Sequence, residues 1–209
     1  MAIKPILFNA EMVRANLDGR KSCTRRIAKP QWKECPNCRY VHNEYIYDNL
    51  EGNVYCARCG YPLAPVINAP YKPGDILYVR ETWHKYTKRV GKGENCHLAE
   101  FYGYKASVAN SEDANEPWKP SIHMPKEAAR IWLKVTDVRV ERLQEITEVQ
   151  AQAEGCNSGL LIGACTARGQ FEDLWNSTIK KSDLDRYGWD ANPWVWVNEY
   201  ERCEKPKGV

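Results

Sequence analysis

Two short cysteine pairs constrain the fold of this chain more than any other feature of its 209 residues. Both pairs have the spacing Cys-x2-Cys, and their members are Cys35, Cys38, Cys56 and Cys59. Each pair can turn two thiolates toward one point, and two such pairs supply the four soft ligands of a tetrahedral zinc ion. Turn-forming residues follow the first and the fourth cysteine, namely Pro36 and Gly60. The spacing predicts one structural Zn²⁺ per chain, and four reduced cysteines that only pack are the alternative.

The length of the chain fits one globular domain with an insertion. A chain of 209 residues can bury a core without help from a metal. We therefore predict a single domain over residues 1–209, in which residues 31–68 form an inserted zinc-ribbon module.

The remaining cysteines indicate a reducing compartment. Five of the nine cysteines lie outside the two pairs: Cys23, Cys96, Cys156, Cys165 and Cys203. An odd number of them, with no apolar signal-peptide segment at the start, favours reduced thiols over a disulfide framework. No stretch approaches the length that spans a bilayer. The expected location is the cytoplasm, and no membrane partner is expected.

Positive charge is concentrated near the start of the chain. The formal net charge is only +3, but residues 1–30 hold seven Lys or Arg residues against two acidic ones. A basic patch suits a phosphate-bearing partner such as RNA or DNA, and a solvated basic face is the alternative. The eight tryptophans could serve as core or as a surface on which bases stack, and composition does not separate these uses.

Hydrophobic patterns and turn residues predict an α+β fold. Helices are expected over Asn9–Leu17, with Asn9 as N-cap and Gly19 after its end, from the capping box at Thr147 to Gly155, and over Phe171–Ile179. Strands are expected over Arg20–Ile27, Ile76–Trp83, Phe101–Ser107, Arg130–Leu143 with a bulge at Thr136 and Asp137, and Pro193–Cys203. Residues 84–100 and 108–129 are expected to be loops. This order favours a mostly antiparallel sheet that closes into a small β-barrel with peripheral helices.

The basic segment after Gly19 also carries groups capable of chemistry. On a strand, Ser22, Thr24 and Arg26 point to one face, and the long side chain of Lys21 could reach the same side. A lysine amine can take a proton from a hydroxyl when burial or positive neighbours favour its neutral form. A basic strand edge on the surface is the alternative.

The segment Gly19-Arg20-Lys21-Ser22-Cys23-Thr24-Arg25-Arg26 resembles the signature of ASCH domains, which belong to the PUA-like superfamily. That signature contains a glycine, an arginine, a lysine and a hydroxyl residue, followed by a threonine and an arginine at alternate positions. Further family elements resemble Gly74–Leu77, Ile146–Gly155 and Pro193–Glu201, and phage and prophage ASCH proteins share stretches similar to Lys4–Phe8, Pro120–Pro125 and Asn192–Val197. The resemblance implies a PUA-like β-barrel and, for a phage-encoded protein, a location in the cytoplasm of the host cell.

One branch of ASCH proteins implies an enzymatic role. Its members are bacterial N4-acetylcytidine amidohydrolases, which cleave the acetyl amide with a threonine, a lysine and a glutamate. At the matching positions of this chain, Thr24 would attack the carbonyl, Lys21 would take the hydroxyl proton, and Glu154 would handle the proton of the leaving amine. This chain is longer than those compact enzymes, carries a zinc insert that they lack, and has Ser22 where a threonine is usual. Other ASCH proteins are proposed RNA binders or ribonucleases.

Six residues are candidates for contact with a nucleic acid: Arg20, Arg25, Arg26, Trp83, Trp118 and His123. The arginines would hold phosphate. The tryptophans, together with Trp194, would stack on a nucleobase unless they are core residues. His123 lies in a proline-flanked loop, where it either meets a base or only packs.

Three classes of function are compatible with these observations. The leading class is recognition of a nucleic acid or a modified nucleotide in the barrel cleft, with hydrolysis of an N4-acylated cytidine as its enzymatic form. The alternatives are a non-catalytic RNA- or DNA-binding module and a protein-interaction adaptor that acts through the ribbon. Turnover of acetylated cytidine separates the first class from the others, and salt-sensitive binding of RNA or DNA separates the second from the third.

Overall fold

The computed structural model describes residues 1–29, 34–40, 45–48, 53–62, 69–108, 117–157 and 166–208. Its strands are β1 (Ile3–Leu7), β2 (Cys23–Ile27), β3 (Tyr45–Asp48), β4 (Asn53–Cys56), β5 (Ile76–Arg80), β6 (Trp83–Val90), β7 (His97–Tyr104), β8 (Trp132–Arg142) and β9 (Trp194–Cys203). Its α-helices are α1 (Ala10–Leu17), α2 (Glu148–Ala153), α3 (Ala167–Thr178) and α4 (Leu184–Tyr187). The predicted α+β class is confirmed.

Five strands form the main sheet, in the order β1-β5-β8-β9-β2. β1 and β5 are parallel, whereas the β5-β8, β8-β9 and β9-β2 pairs are antiparallel. The predicted, mostly antiparallel sheet is therefore confirmed. The predicted bulge lies in β8, where the register with β9 shifts between Val135 and Asp137. A bulge of this kind increases the local twist of a strand.

One side chain links the two edge strands of the main sheet, β1 and β2. Arg26 of β2 donates a hydrogen bond from Nη2 to the carbonyl oxygen of Leu7 in β1, at 2.8 Å. No backbone pairing between β1 and β2 is found in the part of the chain that the structure describes. The expected closed barrel is not seen there: the sheet curves until its ends are near each other, and Arg26 spans the gap between them.

Apolar clusters cover both faces of the sheet. Successive side chains of a strand point to opposite faces, and β9 shows this directly. Trp196 packs in a cluster with Val13 of α1, whereas Val197 packs in a second cluster with Phe171 of α3. The sheet is thus a central layer that fixes the positions of α1 on one side and α3 on the other.

Capping residues start α1 and α2 at the predicted places. Asn9 Oδ1 accepts a hydrogen bond from Met12 N at 2.8 Å, and Gly19 follows α1 with a φ of +76°. Thr147 Oγ1 accepts from Gln150 N at 3.2 Å, and Gln150 Oε1 accepts from Thr147 N at 2.9 Å. This reciprocal pair is the predicted capping box of α2.

The prediction of a loop over residues 84–100 is wrong. Those residues form most of an antiparallel hairpin of β6 and β7. Of the strand expected over Phe101–Ser107, the first four residues are the second half of β7, and Lys105–Ser107 form a 3₁₀ turn instead. Beyond Trp83 and His84, β6 is exposed along its length. An exposed hairpin lacks the alternation of apolar and polar residues by which a half-buried strand is recognised.

The other elements differ from the predictions in their bounds. Helix α3 begins at Ala167 rather than at Phe171, and β1 is a strand that the sequence pattern does not predict. Within the predicted loop 108–129, short 3₁₀ turns form over Ser121–His123 and Lys126–Ala128. Parts of two predictions lie outside the described residues, namely 31–33, 41–44, 49–52 and 63–68 of the ribbon and 109–116 of that loop, and so does Cys165.

Candidate functional site

The four paired cysteines meet at one point, as predicted. Their Sγ atoms all lie within 4.8 Å of one another. Cys35 Sγ is 3.7 Å from Cys59 Sγ, and Cys38 Sγ is 3.8 Å from Cys56 Sγ. Sulfurs placed about 2.3 Å from a tetrahedral metal would be roughly 3.8 Å apart. The cluster therefore has the spacing of a tetrahedral thiolate site and could hold a metal ion.

Two matching turns position these sulfurs. The Arg39 amide donates to the Cys35 carbonyl at 2.9 Å, and the Gly60 amide donates to the Cys56 carbonyl at 2.9 Å. Arg39 and Gly60 have positive φ values of 57° and 65°, in the left-handed region that favours glycine. Asn37 Nδ2 can donate to Cys59 Sγ at 3.7 Å. The second turn thus has the residue that its backbone requires, and the first turn holds an arginine in the same conformation.

The crowded thiols do not ionise alike. The hydrogen bond from the Tyr61 amide lowers the pKa of Cys59 to about 6. The Tyr40 amide also lowers the pKa of Cys38, but burial and the neighbouring thiols outweigh it and raise that pKa to about 12. A bound cation favours the loss of all four protons, because it compensates the repulsion between thiolates. The donor set fits a soft metal cation.

Lys21 and Glu154 form a buried ion pair between distant parts of the sequence. Lys21 lies between α1 and β2, Glu154 follows α2, and a backbone bridge joins the two residues. Lys21 Nζ is 2.6 Å from Glu154 Oε2, and both side chains are buried. Nζ also donates to the carbonyl oxygens of Cys23 at 2.8 Å and of Glu154 at 2.9 Å. All three protons of the ammonium therefore have acceptors inside the protein.

Arg25 completes this buried network. Its Nη1 is 3.3 Å from Glu154 Oε1, and its Nη2 is 3.2 Å from Glu141 Oε2 and from Gln150 Oε1. The guanidinium also lies over the ring of Phe171, 5.8 Å from the centroid. Its side chain is fully buried, and the carboxylates of Glu141 and Glu154 compensate its positive charge. The structure thus places Arg25 in the interior, where it does not face a surface-bound phosphate.

Thr24 lies beside the network, on the opposite face of β2 from Arg25. Its carbonyl accepts a hydrogen bond from Asn198 Nδ2 at 3.3 Å. Among the described residues, no hydrogen bond joins the Thr24 hydroxyl to Lys21 Nζ, whose protons are used elsewhere. Burial, aided by the charge of Glu154, raises the pKa of the neighbouring Cys23 to about 12, so this thiol stays neutral. The fold brings the three predicted hydrolase residues into one region, with two of them in direct contact.

Glu154 also lines a small cleft to which both α1 and α3 contribute residues. The cleft has a volume of about 130 Å³, and its other walls include Ala15 of α1, Leu174 of α3 and Gly155. Ordinary ligand pockets start at roughly 300 Å³. The cleft therefore suits a group of a few atoms rather than a whole nucleoside.

A wider groove opens where the two ends of the main sheet approach each other. Its volume is about 470 Å³, and it is lined by Pro5, Leu7, Arg26, Tyr71, Arg80 and Ile122. Arg80 Nη1 donates to the Ile122 carbonyl at 3.2 Å, so Arg26 and Arg80 bind the protein through carbonyl oxygens. In the described ranges neither arginine forms an ion pair with a carboxylate. We call this feature the Arg26–Arg80 groove.

The remaining walls of the groove are apolar and aromatic. Leu7 and Ile122 are large hydrophobic residues that stay exposed to solvent. The Tyr71 hydroxyl donates to the Pro5 carbonyl at 3.0 Å, which holds the ring against β1. Burial raises the pKa of Tyr71, and the nearby charge of Arg26 opposes that rise. The groove therefore combines two cations with a neutral aromatic ring and apolar surface.

The other predicted nucleic-acid residues are dispersed. Arg20 is partly exposed and pairs with a carboxylate on its own turn. Trp83 and Trp194 are buried core residues. Trp118 is half-buried, and His123 is exposed, one residue after a wall of the groove. Only Arg26 and the neighbourhood of His123 thus coincide with the Arg26–Arg80 groove.

Sequence reasoning missed Arg80 and Tyr71 as site residues. Arg80 is the last residue of β5 and lies on the same face as the buried residues Ile76 and Tyr78. An arginine on a buried face is the one sequence signal that could have marked it as a site residue. Tyr71 lies in the proline-rich segment that returns from the ribbon. Their meeting with Arg26 depends on the curvature of the sheet, which no local pattern encodes.

No protein-family model, curated protein or solved structure matches this chain. Within the described residues, none of the helices has the length and apolar character needed to cross a membrane.

Proposed function

We propose that this chain is an ASCH-type protein of the PUA-like superfamily that binds a strand of RNA or DNA, or a modified nucleotide, in the Arg26–Arg80 groove. The observation that carries the proposal is a pair of arginines, without carboxylate partners among the described residues, beside exposed apolar walls. The similarity of Gly19–Arg26 to the ASCH signature and the mostly antiparallel sheet support the assignment to this family.

The chemistry of the groove suits a nucleotide. Guanidinium groups bind phosphate oxygens through paired, charge-assisted hydrogen bonds. Leu7, Tyr71 and Ile122 offer an aromatic and apolar surface for a base. The volume of about 470 Å³ lies within the range of ordinary ligand pockets. Because Arg25 is buried and paired, the phosphate-binding role moves from Arg25 to Arg80.

We propose Zn²⁺ as the ion of the four-cysteine cluster. Tetrahedral sets of four thiolates are typical of structural zinc, and a fully thiolate site leaves no open position for a substrate. The ion would tie the turn at 34–40 to the turn at 56–62. Its role in this proposal is to shape the ribbon beside the main sheet.

Binding of a labelled oligouridylate or oligothymidylate of about 12 nucleotides tests the proposal. Fluorescence anisotropy over a range of salt concentrations should show that Arg26→Met and Arg80→Met each weaken binding. Each variant should also lower the slope of log affinity against log salt by about 0.7 for every phosphate that the protein no longer neutralises. Arg186→Met, in the exposed arginine of α4, is the matched control and should bind as the wild type does. Wild-type protein with no affinity for either oligonucleotide at low salt would favour the ribbon-mediated adaptor instead.

A second candidate function is hydrolysis of an N4-acylated cytidine, which the contact between Lys21 and Glu154 favours, although Thr24 is buried and the cleft beside Glu154 has room for the acyl group rather than for the whole nucleoside. In this proposal Glu154 first accepts a proton from Lys21. Thr24 Oγ1 then attacks the acyl carbon while Lys21 takes the hydroxyl proton, and the leaving amine is protonated through Glu154. Water finally releases the acyl group from Thr24.

Incubation with N4-acetylcytidine tests this second candidate. Released cytidine should be detected with the wild type, and Thr24→Ala and Lys21→Met should abolish the release. Release that persists in Thr24→Ala, or no release from any N4-acylated cytidine, would contradict the hydrolase proposal and leave binding as the function.

A further inference from the structure

On one face of the β6–β7 hairpin, the paired strand residues include no acidic side chain. Its outer part consists of the cross-strand pairs Tyr86–Phe101, Lys88–Ala99 and Val90–His97. Glu100 lies on the opposite face, where it pairs with Lys85 at 2.7 Å. We call the face that carries Tyr86, Lys88 and Val90 the acid-free face.

A row of packed rings runs from the body of the protein onto the acid-free face. Trp118 and His84 have ring centroids 4.6 Å apart, and His84 and Tyr86 follow at 5.4 Å. Tyr86 then stacks with Phe101 at 5.7 Å, with an angle of 27° between the ring planes. Tyr86 is 38% exposed and Phe101 is 37% exposed, so both rings meet solvent.

A glycine makes room for this row. Gly103 is the cross-strand partner of His84, and a Cβ atom at that position would lie 1.8 Å from His84 Nε2. A larger residue would therefore displace the His84 ring, which separates Trp118 from Tyr86. The row of rings therefore depends on a glycine at position 103, because the His84 ring lies where a side chain would begin.

We propose that the acid-free face is a stacking platform for unpaired nucleobases of the strand that the Arg26–Arg80 groove binds. Exposed aromatic rings beside a cation, on a face whose paired strand residues include no carboxylate, are the combination on which successive bases stack. Lys88 supplies the cation on this face, and Lys92 is exposed in the turn at the same end of the hairpin. This charge favours a nucleic acid over an apolar protein surface as the occupant.

One segment connects the platform with the groove. Residues 117–123 carry Trp118 at one end and Ile122 near the other. Lys119 pairs with Trp83 through backbone hydrogen bonds of 2.8 and 3.2 Å, and Arg80 Nη1 donates to the Ile122 carbonyl. The segment is therefore fixed to the hairpin and to the groove. The inference rests on the proposed function, because it extends the path of the same strand.

Two probes separate the platform from the groove. We expect a uridine dinucleotide to bind in the groove alone and an oligouridylate of about 12 nucleotides to extend from the groove onto the platform. Tyr86→Ala and Phe101→Ala should each weaken oligouridylate binding roughly fivefold or more, since they remove a stacking partner. They should leave both the salt slope and the affinity for the dinucleotide unchanged. Leu98→Ala, at a residue 68% exposed on the opposite face of the same hairpin, is the matched control and should have no effect.

The outcomes distinguish this inference from the proposed function. Oligouridylate binding that is unchanged in Tyr86→Ala and Phe101→Ala, but weakened in Arg26→Met, would overturn the platform and leave the groove intact. Wild-type protein that binds neither probe would overturn both. Thermal unfolding of each variant checks its fold, and Phe101→Leu, which keeps the apolar bulk without the aromatic face, should weaken oligouridylate binding as Phe101→Ala does.

Discussion

Replacing Glu154 by glutamine tests how strongly the buried ion network stabilises the fold. Glu154 faces two cations, with Lys21 Nζ at 2.6 Å and Arg25 Nη1 at 3.3 Å. Glutamine keeps the shape of the side chain but removes its charge. Arg25 would retain Glu141, whereas Lys21 would lose the carboxylate that pairs with it. Removing one partner of a buried pair costs about 3–5 kcal/mol, because the remaining charge stays buried without compensation.

Urea denaturation followed by tryptophan fluorescence measures this loss in the free energy of unfolding. A surface pair on the adjacent turn provides the control. Arg20 and Asp18 are 3.0 Å apart, but their side chains are 39% and 57% exposed. Asp18→Asn should therefore cost less than about 1 kcal/mol. The expected loss for Glu154→Gln corresponds to a fall in its Tm of roughly 6 °C or more.

A double variant separates the ion pair from a general effect of substitution at Glu154. Combining Glu154→Gln with Lys21→Met removes the unpaired ammonium together with its partner. The double variant should be more stable than the sum of the single losses predicts, by about 0.5–3 kcal/mol. A loss below about 1 kcal/mol for Glu154→Gln alone, similar to that of Asp18→Asn, would refute the account of the network.

Three further predictions concern the metal, a glycine turn and pH. Purified protein should contain one zinc per chain by elemental analysis, and Cys38→Ser should lose it while Cys96→Ser, at an exposed cysteine outside the cluster, should not. Gly155→Ala should lower the free energy of unfolding more than Gly19→Ala does: both glycines have positive φ, but only at Gly155 would the new Cβ lie 2.7 Å from a side-chain carbon of α1. Burial acts to raise the pKa of Asp75, but its hydrogen bonds from a lysine and two backbone amides lower the pKa overall. The stabilisation from Asp75 is therefore complete above about pH 4 and is lost as the pH falls through the lowered pKa, so acid should destabilise the wild type more steeply than Asp75→Asn.

Local signals in the sequence predict much of the fold. The capping oxygen of Asn9, the capping box at Thr147 and the bulge near Asp137 depend on a few neighbouring residues, and each is found where it is predicted. The cysteine cluster is predictable for the same reason, since two short turns determine the geometry of each pair. The β6–β7 hairpin is missed because its exposed strands carry no alternating pattern.

The candidate site is less predictable, because it depends on the tertiary structure. The strand alternation in the sequence places Arg25 and Arg26 on opposite faces of β2, but it does not show that one face is buried against two carboxylates and that the other lines a groove. Their environments differ because alternate positions of β2 face different layers. The partnership of Arg26 with Arg80 requires the curvature that brings the ends of the sheet together.

The proposed function requires a nucleic-acid strand to occupy the Arg26–Arg80 groove. Photocrosslinking of an oligonucleotide that contains 4-thiouridine, followed by mass spectrometry of the peptides, locates the strand directly. We expect crosslinks to Tyr71 and to the segment that holds Ile122 and His123, and we expect them to disappear when Arg26 and Arg80 are both replaced by methionine. Crosslinks confined to the ribbon residues 34–62, or unchanged in the double variant, would contradict it.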